Sequence, residues 1–207
     1  MRLRSRGAPP REELVARHVA GRTFLDVGAM WSVHGAIAFA AERHGATAVT
    51  ALDVMAPTPQ FEAARAGSMV RFVQGDVHDP ATIAEVGSHD VVWCSGVLYH
   101  APDPVLTLRR LRELTGDVLL LATETIRGRG RSAVFAPDPG THPAHTEPFD
   151  PERGYVSWWW GLTAGAVLAM VEATGFRVLE EHRTRHHLTV VARTAGPEQK
   201  GMNSTPV

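Results

Sequence analysis

The sequence contains only one cysteine, Cys94, so no disulfide can form within the chain. A protein without disulfides suits the reducing cytosol, and we therefore expect a cytoplasmic location. No apolar run approaches the ~20 residues of a membrane-spanning helix, and the N-terminal arginines are not followed by the apolar stretch of a secretory signal. The formal net charge is only −1, so the chain lacks the positive field that attracts nucleic acid or anionic lipid. These absences argue against a nucleic-acid partner and against a membrane partner.

The sequence does contain enough apolar material for one substantial core. Hydrophobic residues make up 44% of the 207 residues and charged residues 21%, as in ordinary globular domains. We see no internal repeat. We expect a single domain over 1–207, with an N-terminal helix over 9–21, an insertion over 124–160 and a flexible tail over 196–207.

Apolar runs alternate along the chain with helix-compatible segments, which is the order of a parallel α/β sheet. A short connection joins the last two strands, so the last strand is expected to run antiparallel. We predict an α/β fold: a Rossmann-like, seven-stranded, mostly parallel sheet with an antiparallel last strand and helices on both faces. The predicted strands are 23–28, 47–52, 69–73, 90–94, 118–123, 176–182 and 187–193, and the helices after the first are 35–44, 60–66, 80–86, 104–114 and 163–174.

The most informative pattern is a strand that ends in an acid and a glycine, followed one helix and one strand later by a second acid. Residues 23–28 contain Asp26 and Gly28, and Asp53 ends the next strand. Ligands of open parallel sheets lie outside the carboxyl ends of the strands, where an acid about 20 residues beyond the glycine turn binds ribose hydroxyls. The pattern predicts a nucleoside cofactor. A nicotinamide cofactor would need more glycines in the turn for close approach of its pyrophosphate.

Four motifs in this order resemble those of class I S-adenosylmethionine-dependent methyltransferases, over roughly residues 20–193. Two further segments, 96–104 and 158–176, are similar to the branch that contains the wobble-uridine carboxymethyltransferases of tRNA and their small-molecule relatives. The resemblance implies S-adenosyl-L-methionine as the cofactor and a small-molecule acceptor. The four motifs are Phe24-Leu-Asp-Val-Gly28, Ala51-Leu-Asp53, Gln74-Gly-Asp76 and Val91-Val-Trp-Cys-Ser-Gly-Val-Leu-Tyr-His100.

The same resemblance implies a role for each residue at the strand ends. The turn after the first strand would face the methionine part of the cofactor, Asp53 the ribose and Asp76 the adenine amino group. Asp26 and Asp76 can also be read as turn-forming acids, and Asp53 as a helix cap. The predicted cofactor-binding residues are Asp26, Gly28, Ala29, Met30, Asp53, Val54, Asp76, Val77, Cys94 and Ser95.

The glycine turn departs from the family pattern Gly-x-Gly-x-Gly. Here Gly28 is followed by Ala-Met-Trp-Ser-Val-His before Gly35, so the loop is longer than usual. We expect Met30 and Trp31 to line the pocket where glycine would otherwise leave room.

Histidine and aromatic residues are the candidates at the acceptor side. His100 is the candidate general base, because imidazole titrates near operating pH. The alternative is that His100 only positions the acceptor. Tyr99 should also point toward the acceptor. We expect His142, His145, Trp158 and Trp159 to contact the substrate. A metal held by the two insertion histidines and Glu147 is the less favoured alternative, so we predict no metal. The tryptophans can instead pack beneath the insertion.

The sequence is compatible with three functions. The leading one is S-adenosylmethionine-dependent methyl transfer to a small-molecule acceptor, on oxygen, nitrogen or carbon. The second is a tRNA-modifying enzyme that uses the cofactor or a carboxylated form of it, against which the near-neutral charge argues. The third is a methyltransferase-fold protein that binds the cofactor without transferring its methyl group. A homodimer is left open.

Overall fold

The computed structural model describes residues 3–196, so residues 197–207 of the predicted tail lie outside the described part. Ten strands form: β1 (Leu3–Arg6), β2 (Thr23–Val27), β3 (Ala48–Asp53), β4 (Arg71–Gln74), β5 (His89–Ser95), β6 (Thr115–Glu124), β7 (Ala133–Phe135), β8 (Trp160–Leu162), β9 (Phe176–Arg183) and β10 (His187–Thr194). Six α-helices form: α1 (Arg11–Val19), α2 (Ala36–Arg43), α3 (Pro59–Arg65), α4 (Pro80–Val86), α5 (Pro104–Leu114) and α6 (Ala164–Ala173). Two 3₁₀ helices span Leu98–His100 and Pro151–Val156.

The central sheet has eight strands in the order β1-β9-β10-β6-β5-β2-β3-β4. Only β10 runs antiparallel, to both of its neighbours, and the other pairs are parallel. The predicted α/β sheet with an antiparallel last strand is therefore confirmed, but the count of seven was wrong. The missed strand is β1, which pairs with β9 at the sheet edge. Its residues, Leu-Arg-Ser-Arg, lack the apolar run by which the other strands were recognised.

Helices cover both faces of the sheet because alternate strand residues point to opposite sides. Leu25 and Val27 of β2 belong to one core cluster, which α4, α5 and α6 cover. Phe24, which precedes Leu25 along the strand, belongs to the other cluster, which α1, α2 and α3 cover. These three residues are all apolar in the sequence, yet the two faces of the strand pack against different layers of helices.

The helices begin where the sequence supplies side-chain caps. Thr58, Asp79 and Asp103 each accept a backbone N–H at the start of a helix whose first residue is proline, and Thr163 caps α6 as predicted. Proline lacks an N–H and has a preset φ, so it fits the first helical position without losing a hydrogen bond. No helix within 3–196 has the length and apolar character needed to cross a membrane.

The segment predicted as an irregular insertion contains regular elements. β7 and β8 pair antiparallel as a separate two-stranded sheet, and the 3₁₀ helix Pro151–Val156 lies between them in sequence. These elements place the second half of the insertion over the carboxyl ends of the main-sheet strands, where the candidate site lies.

Candidate functional site

A cavity of about 700 Å³ opens at the carboxyl ends of β2, β3, β4 and β5. The sheet order reverses between β2 and β5, and such a switch point leaves a crevice because the two connections leave in opposite directions. The cavity brings together eleven of the sixteen predicted site residues: Asp26, Gly28, Asp53, Val54, Asp76, Val77, Ser95, Tyr99, His100, His145 and Trp158. The other five, Ala29, Met30, Cys94, His142 and Trp159, do not line it.

Gly28 closes the turn after β2 and cannot be replaced by a larger residue without a shift. Its φ is +82°, and a Cβ there would lie 2.7 Å from Val97 Cγ2 and 2.9 Å from the carbonyl oxygen of Ser95. Its own N–H donates to the carbonyl of Leu52 over 2.9 Å. The glycine therefore lets the first turn lie directly against the end of β5.

Asp53 ends β3 and is buried, with 7% of its surface exposed. Its Oδ2 accepts the Met30 N–H over 2.7 Å, and its Oδ1 accepts the Met55 N–H over 2.8 Å. Each carboxylate oxygen accepts more than one hydrogen bond, so both retain acceptor capacity for ligand hydroxyls. The carboxylate thus fixes the turn and faces the cavity at once.

The expectation that Met30 lines the pocket was wrong for its side chain, and Ala29 beside it does not line the cavity either. Both are fully buried in the core cluster beneath α1 and α2. The loop turns at Trp31, which lines the cavity and is 65% exposed. Met30 contributes to the site only through the backbone N–H that it donates to Asp53.

Asp26 lies inside the sheet at the end of β2, and its carboxyl is strongly perturbed. Burial raises its pKa from 3.8 to about 7, the negative charge of Asp53 adds to the rise, and the backbone N–H of Ala38 opposes it. Its Oδ2 is buried and has no hydrogen-bond partner among residues 3–196. A buried acceptor without a donor is costly, and a cationic donor in the cavity would relieve that cost.

Asp76, after β4, is held by a tyrosine of the insertion. The Tyr155 hydroxyl lies 2.8 Å and 2.7 Å from the two carboxylate oxygens of Asp76 and 3.0 Å from Nδ1 of His78. The backbone N–H of His78 also donates to Asp76 Oδ1, over 2.8 Å. Asp76 keeps acceptor capacity on Oδ2, toward the cavity end that Val77 also lines.

Cys94 was expected to contact a cofactor through its backbone, but the residue does not line the cavity. It is fully buried in the core cluster beneath α5. Burial, and then the nearby Asp26 charge, raises the pKa of its thiol, so the sulfur remains a protonated core group. Ser95, one residue further along β5, reaches the cavity.

His100 ends the 3₁₀ helix after β5 and presents one free nitrogen to the cavity. Its Nδ1 lies 2.9 Å from the carbonyl oxygen of Ser157; because a carbonyl only accepts, Nδ1 carries the proton and Nε2 keeps its lone pair. Burial lowers the pKa of the imidazole, opposed by the Ser157 carbonyl. His100 is therefore neutral at pH 7 with its basic nitrogen available.

Tyr99 and Trp158 form an aromatic wall beside His100. Their ring centroids are 4.4 Å apart, and those of Tyr99 and His100 are 4.2 Å apart. Burial raises the pKa of Tyr99 to about 12, and the charge of Glu124 adds to the rise. The phenol thus stays protonated and cannot serve as the base at neutral pH.

The two histidines of the insertion have different positions. His145 lines the cavity, stacks on Trp158 with centroids 5.1 Å apart, and has a buried Nδ1 without a hydrogen-bond partner in the described chain. His142 lies behind Trp158 instead, 5.0 Å between ring centroids. Its Nδ1 accepts the Ala144 N–H, which leaves the proton on Nε2, and Nε2 lies 2.9 Å from Glu124 Oε2 at an angle too oblique for a good hydrogen bond. His142 therefore does not line the cavity.

Trp159, which was also predicted to contact the substrate, does not line the cavity either. Its indole N–H donates to the carbonyl of Gly154 over 3.0 Å, and its ring contacts Phe135 and Phe149 under the insertion. Neighbouring residues in an extended segment point to opposite sides, so only Trp158 faces the cavity. Within residues 3–196 no group of three or more His, Cys, Asp or Glu side chains is arranged to hold a metal ion.

The cavity residues that were not predicted include four with polar or charged side chains: Arg11 of α1, Glu124 at the end of β6, and Tyr155 and Ser157 of the insertion. The position of Glu124 at a strand end was a usable signal, since neighbouring parallel strands end at the same edge. Tyr155 and Ser157 lie in a stretch without periodicity. Nothing in their local sequence indicates that they reach Asp76 and His100.

Comparison with known proteins agrees with this fold. Residues 25–116 match a family described as a methyltransferase domain. The ubiquinone biosynthesis O-methyltransferase of Escherichia fergusonii is 34% identical over 122 residues, which cover 56% of this chain and 48% of that protein. The chain thus spans about half the length of the curated relatives it matches.

Solved structures share the fold at low sequence identity. One is the 1,6-didemethyltoxoflavin-N1-methyltransferase of Burkholderia thailandensis with 1,6-didemethyltoxoflavin and S-adenosylhomocysteine bound. It superimposes with a TM-score of 0.64 at 20% sequence identity, and the match covers 90% of this chain and 77% of that chain. Another is the [4+2]-cyclase SpnF: TM-score 0.64, 16% identity, 89% and 79% coverage. The family match over residues 25–116, with the motifs at the strand ends, supports the predicted resemblance to class I S-adenosylmethionine-dependent methyltransferases.

Proposed function

We propose that the protein transfers a methyl group from S-adenosylmethionine to a hydroxyl of a small-molecule acceptor. The observation that carries the proposal is the neutral His100, whose Nδ1 is bound by Ser157 and whose Nε2 is free at the cavity. The name of the Escherichia relative, an O-methyltransferase, supports oxygen as the methylated atom. The toxoflavin enzyme, which carries both its small-molecule acceptor and S-adenosylhomocysteine, supports the same class of partner.

The chain's own residues fit this cofactor. The unpartnered Oδ2 of Asp26 suits the ammonium of the methionine part, and Gly28 beside it lines the same cavity. Asp53 retains acceptor capacity for two ribose hydroxyls, and Asp76 for the adenine amino group. When bound, S-adenosylmethionine supplies an electrophilic methyl group on a sulfonium.

The acceptor side supplies alignment and a base. Trp158, Tyr99 and His145 form walls against which a planar acceptor can lie. Nε2 of His100 takes the hydroxyl proton as the oxygen becomes nucleophilic, and the Ser157 carbonyl stabilises the imidazolium that forms. Such alignment matters most when the reaction is an in-line displacement.

The proposal treats the chain as one methyltransferase domain that acts in the cytoplasm. Its lone cysteine, buried and unpaired in the core, supports a reducing compartment. Whether two copies associate is open to gel filtration with light scattering, which would give a mass of about 45 kDa for a dimer of the 22.4 kDa chain.

The test combines binding with turnover. Calorimetry should detect S-adenosylhomocysteine binding to the wild type, and label from methyl-labelled cofactor should enter hydroxylated aromatic compounds in a panel. Asp53→Asn should weaken binding about 10- to 100-fold, whereas His100→Gln should bind the cofactor and turn over about 10²- to 10⁴-fold more slowly. A wild type that binds no S-adenosylhomocysteine at millimolar concentration would refute the proposal, and label that enters only bulk tRNA would reassign the acceptor.

A second candidate function follows from the fold alone. The cyclase SpnF shows that the same architecture occurs in a protein named for another reaction, and the atypical loop between Gly28 and Gly35 is consistent with an altered cofactor role. Tight binding without formation of S-adenosylhomocysteine from S-adenosylmethionine, across the whole panel, would favour this function.

A further inference from the structure

Residues 150–157 of the insertion form a loop that is closed by its own hydrogen bonds, which we call the clasp. The Ser157 hydroxyl donates to the carbonyl of Asp150 over 2.7 Å. The backbone N–H of Asp150 donates in return to the Ser157 hydroxyl oxygen, over 3.3 Å. Asp150 Oδ1 caps the 3₁₀ helix by accepting the Glu152 N–H over 3.0 Å. Gly154, at φ +51° and ψ −127°, bends the helix inside the clasp. The two ends of the clasp are therefore fixed relative to one another.

The first contact of the clasp is with the cofactor end of the cavity. The Tyr155 hydroxyl is within 2.8 Å of both carboxylate oxygens of Asp76. Burial, and then the hydrogen bond to Asp76, raises the pKa of this phenol, so it stays a proton donor. Hydrogen bonds to an ionised acceptor are the stronger kind, and this one ties the clasp to the loop after β4.

The second contact is with the candidate base. The Ser157 carbonyl accepts the Nδ1 proton of His100 over 2.9 Å. No other hydrogen bond holds the His100 ring within residues 3–196; its remaining contacts are the rings of Tyr99 and Trp158. The protonated nitrogen of His100 is therefore selected by the position of one clasp carbonyl.

We propose that Tyr155 is a positioning residue: by anchoring the clasp on Asp76, it holds the Ser157 carbonyl where it fixes His100 in the tautomer with a free Nε2. The roles assigned to Asp76 and His100 rest on the proposed function, but the link between Tyr155 and the His100 tautomer does not. Tyr155 also keeps the Asp76 carboxylate oriented, so the adenine end and the base are positioned by one segment of eight residues.

The hydroxyl of Tyr155, and not its ring, anchors the clasp on Asp76. Packing alone would be served equally by phenylalanine, because the ring is about half-buried against His78, with centroids 6.1 Å apart. Tyr155→Phe therefore removes the anchor and retains the ring. Ser157→Ala opens the clasp at its other end, since it deletes the hydroxyl that closes on Asp150 and leaves the Ser157 backbone carbonyl in place.

The experiment is a long-range ¹H–¹⁵N correlation spectrum of the cofactor-free protein at about pH 8, with His100 assigned from the signals lost in His100→Gln. The wild type should show a single His100 tautomer with Nδ1 protonated. Tyr155→Phe should show a mixture of both tautomers, and Ser157→Ala should do the same. Glu152→Gln, an exposed change in the same 3₁₀ helix, should match the wild type.

Calorimetry with S-adenosylhomocysteine supplies a second measurement. Tyr155→Phe should weaken binding about 5- to 10-fold, as expected for one lost hydrogen bond to a carboxylate, and Glu152→Gln should not. A single unchanged tautomer in folded Tyr155→Phe overturns the inference, even where affinity falls. Should Tyr155→Phe fail to fold, the tautomer of Ser157→Ala decides in the same way. A wild type without S-adenosylhomocysteine binding would refute the proposed function and leave the tautomer result standing.

Discussion

Replacing Asp26 by asparagine should make the free energy of unfolding of the cofactor-free protein less dependent on pH. Burial raises the pKa of this carboxyl from 3.8 to about 7, so the folded protein holds the proton more tightly than the unfolded chain. The resulting stabilisation is fully present below about pH 4 and is lost as the pH rises through about 7. A pKa of about 7 in place of 3.8 corresponds to on the order of 4 kcal/mol, an upper bound for this one group.

Asparagine has nearly the same shape and no charge, so Asp26→Asn removes this contribution. The variant and the wild type should have similar stability at about pH 4, and the variant should be more stable by up to about 4 kcal/mol at about pH 8. Buried histidines such as His100, whose pKa is lowered, act in the opposite direction. They are common to both proteins, so the difference between the two curves isolates Asp26.

The assay is urea unfolding followed by circular dichroism at several pH values between about 4 and 8. Asp138→Asn, at an exposed position outside the cavity, provides the matched control and should follow the wild type throughout. A difference curve between wild type and Asp26→Asn that stays flat over this range would refute the reasoning, because the folded carboxyl would then have an ordinary pKa.

The carboxyl of Asp26 should also affect ligand binding. A cationic ammonium beside Asp26 Oδ2 favours the ionised carboxylate, so binding of S-adenosylhomocysteine near pH 6 should release up to one proton. Calorimetry in buffers of different ionisation enthalpy measures that release directly. Asp26→Asn should bind without it, and an identical release in both proteins would show that the proton comes from another group.

The remaining predictions concern the other residues of the cavity and its turn. Asp53→Asn should weaken S-adenosylhomocysteine binding about 10- to 100-fold in calorimetry, the range for a lost hydrogen bond to a charged group. His100→Gln should lower kcat about 10²- to 10⁴-fold with cofactor affinity retained, and the wild-type rate should fall at acidic pH, where the imidazole, whose pKa burial lowers, becomes protonated. Gly28→Ala should lower the free energy of unfolding by about 1–3 kcal/mol, because its Cβ would lie 2.7 Å from Val97; an unchanged Tm contradicts this. Ser32→Gly should raise Tm slightly, since its φ of +59° is strained for serine.

The parts of the fold that the sequence predicts are those set by local pattern. β2, β3 and β5 are apolar runs covered on both faces, and Asp26 and Asp53 mark where two of them end. Because parallel strands end at one edge, the carboxylates converge without any long-range information. The position of the cofactor side of the cavity follows from these facts, as does that of Tyr99 and His100 beyond β5.

The errors share a physical cause, which is that a side chain's direction depends on packing that sequence spacing does not contain. Met30 enters the core because the loop after Gly28 is long enough to fold back on α2. Trp158 and Trp159 are adjacent and equally apolar, yet only the first faces the cavity. His142 lies behind Trp158, next to the carboxylate of Glu124. β1 was missed because its stability comes from pairing with β9, not from its own composition.

The atypical turn shows that the location of the cavity depends on strand order more than on glycine content. Ser32 and His34 adopt the left-handed conformations, φ +59° and +47°, that glycine would take without strain. Local contacts offset that cost: the Gly35 N–H donates to the Ala29 carbonyl over 2.7 Å, and His34 Nδ1 lies 3.1 Å from the Thr58 hydroxyl. The geometry excludes a side chain at Gly28, which packs against the end of β5, and at Gly35, where a Cβ would lie 2.4 Å from Phe61 Cδ2. One glycine at each end of the loop therefore suffices for the turn, and the positions between them bring Trp31 to the cavity.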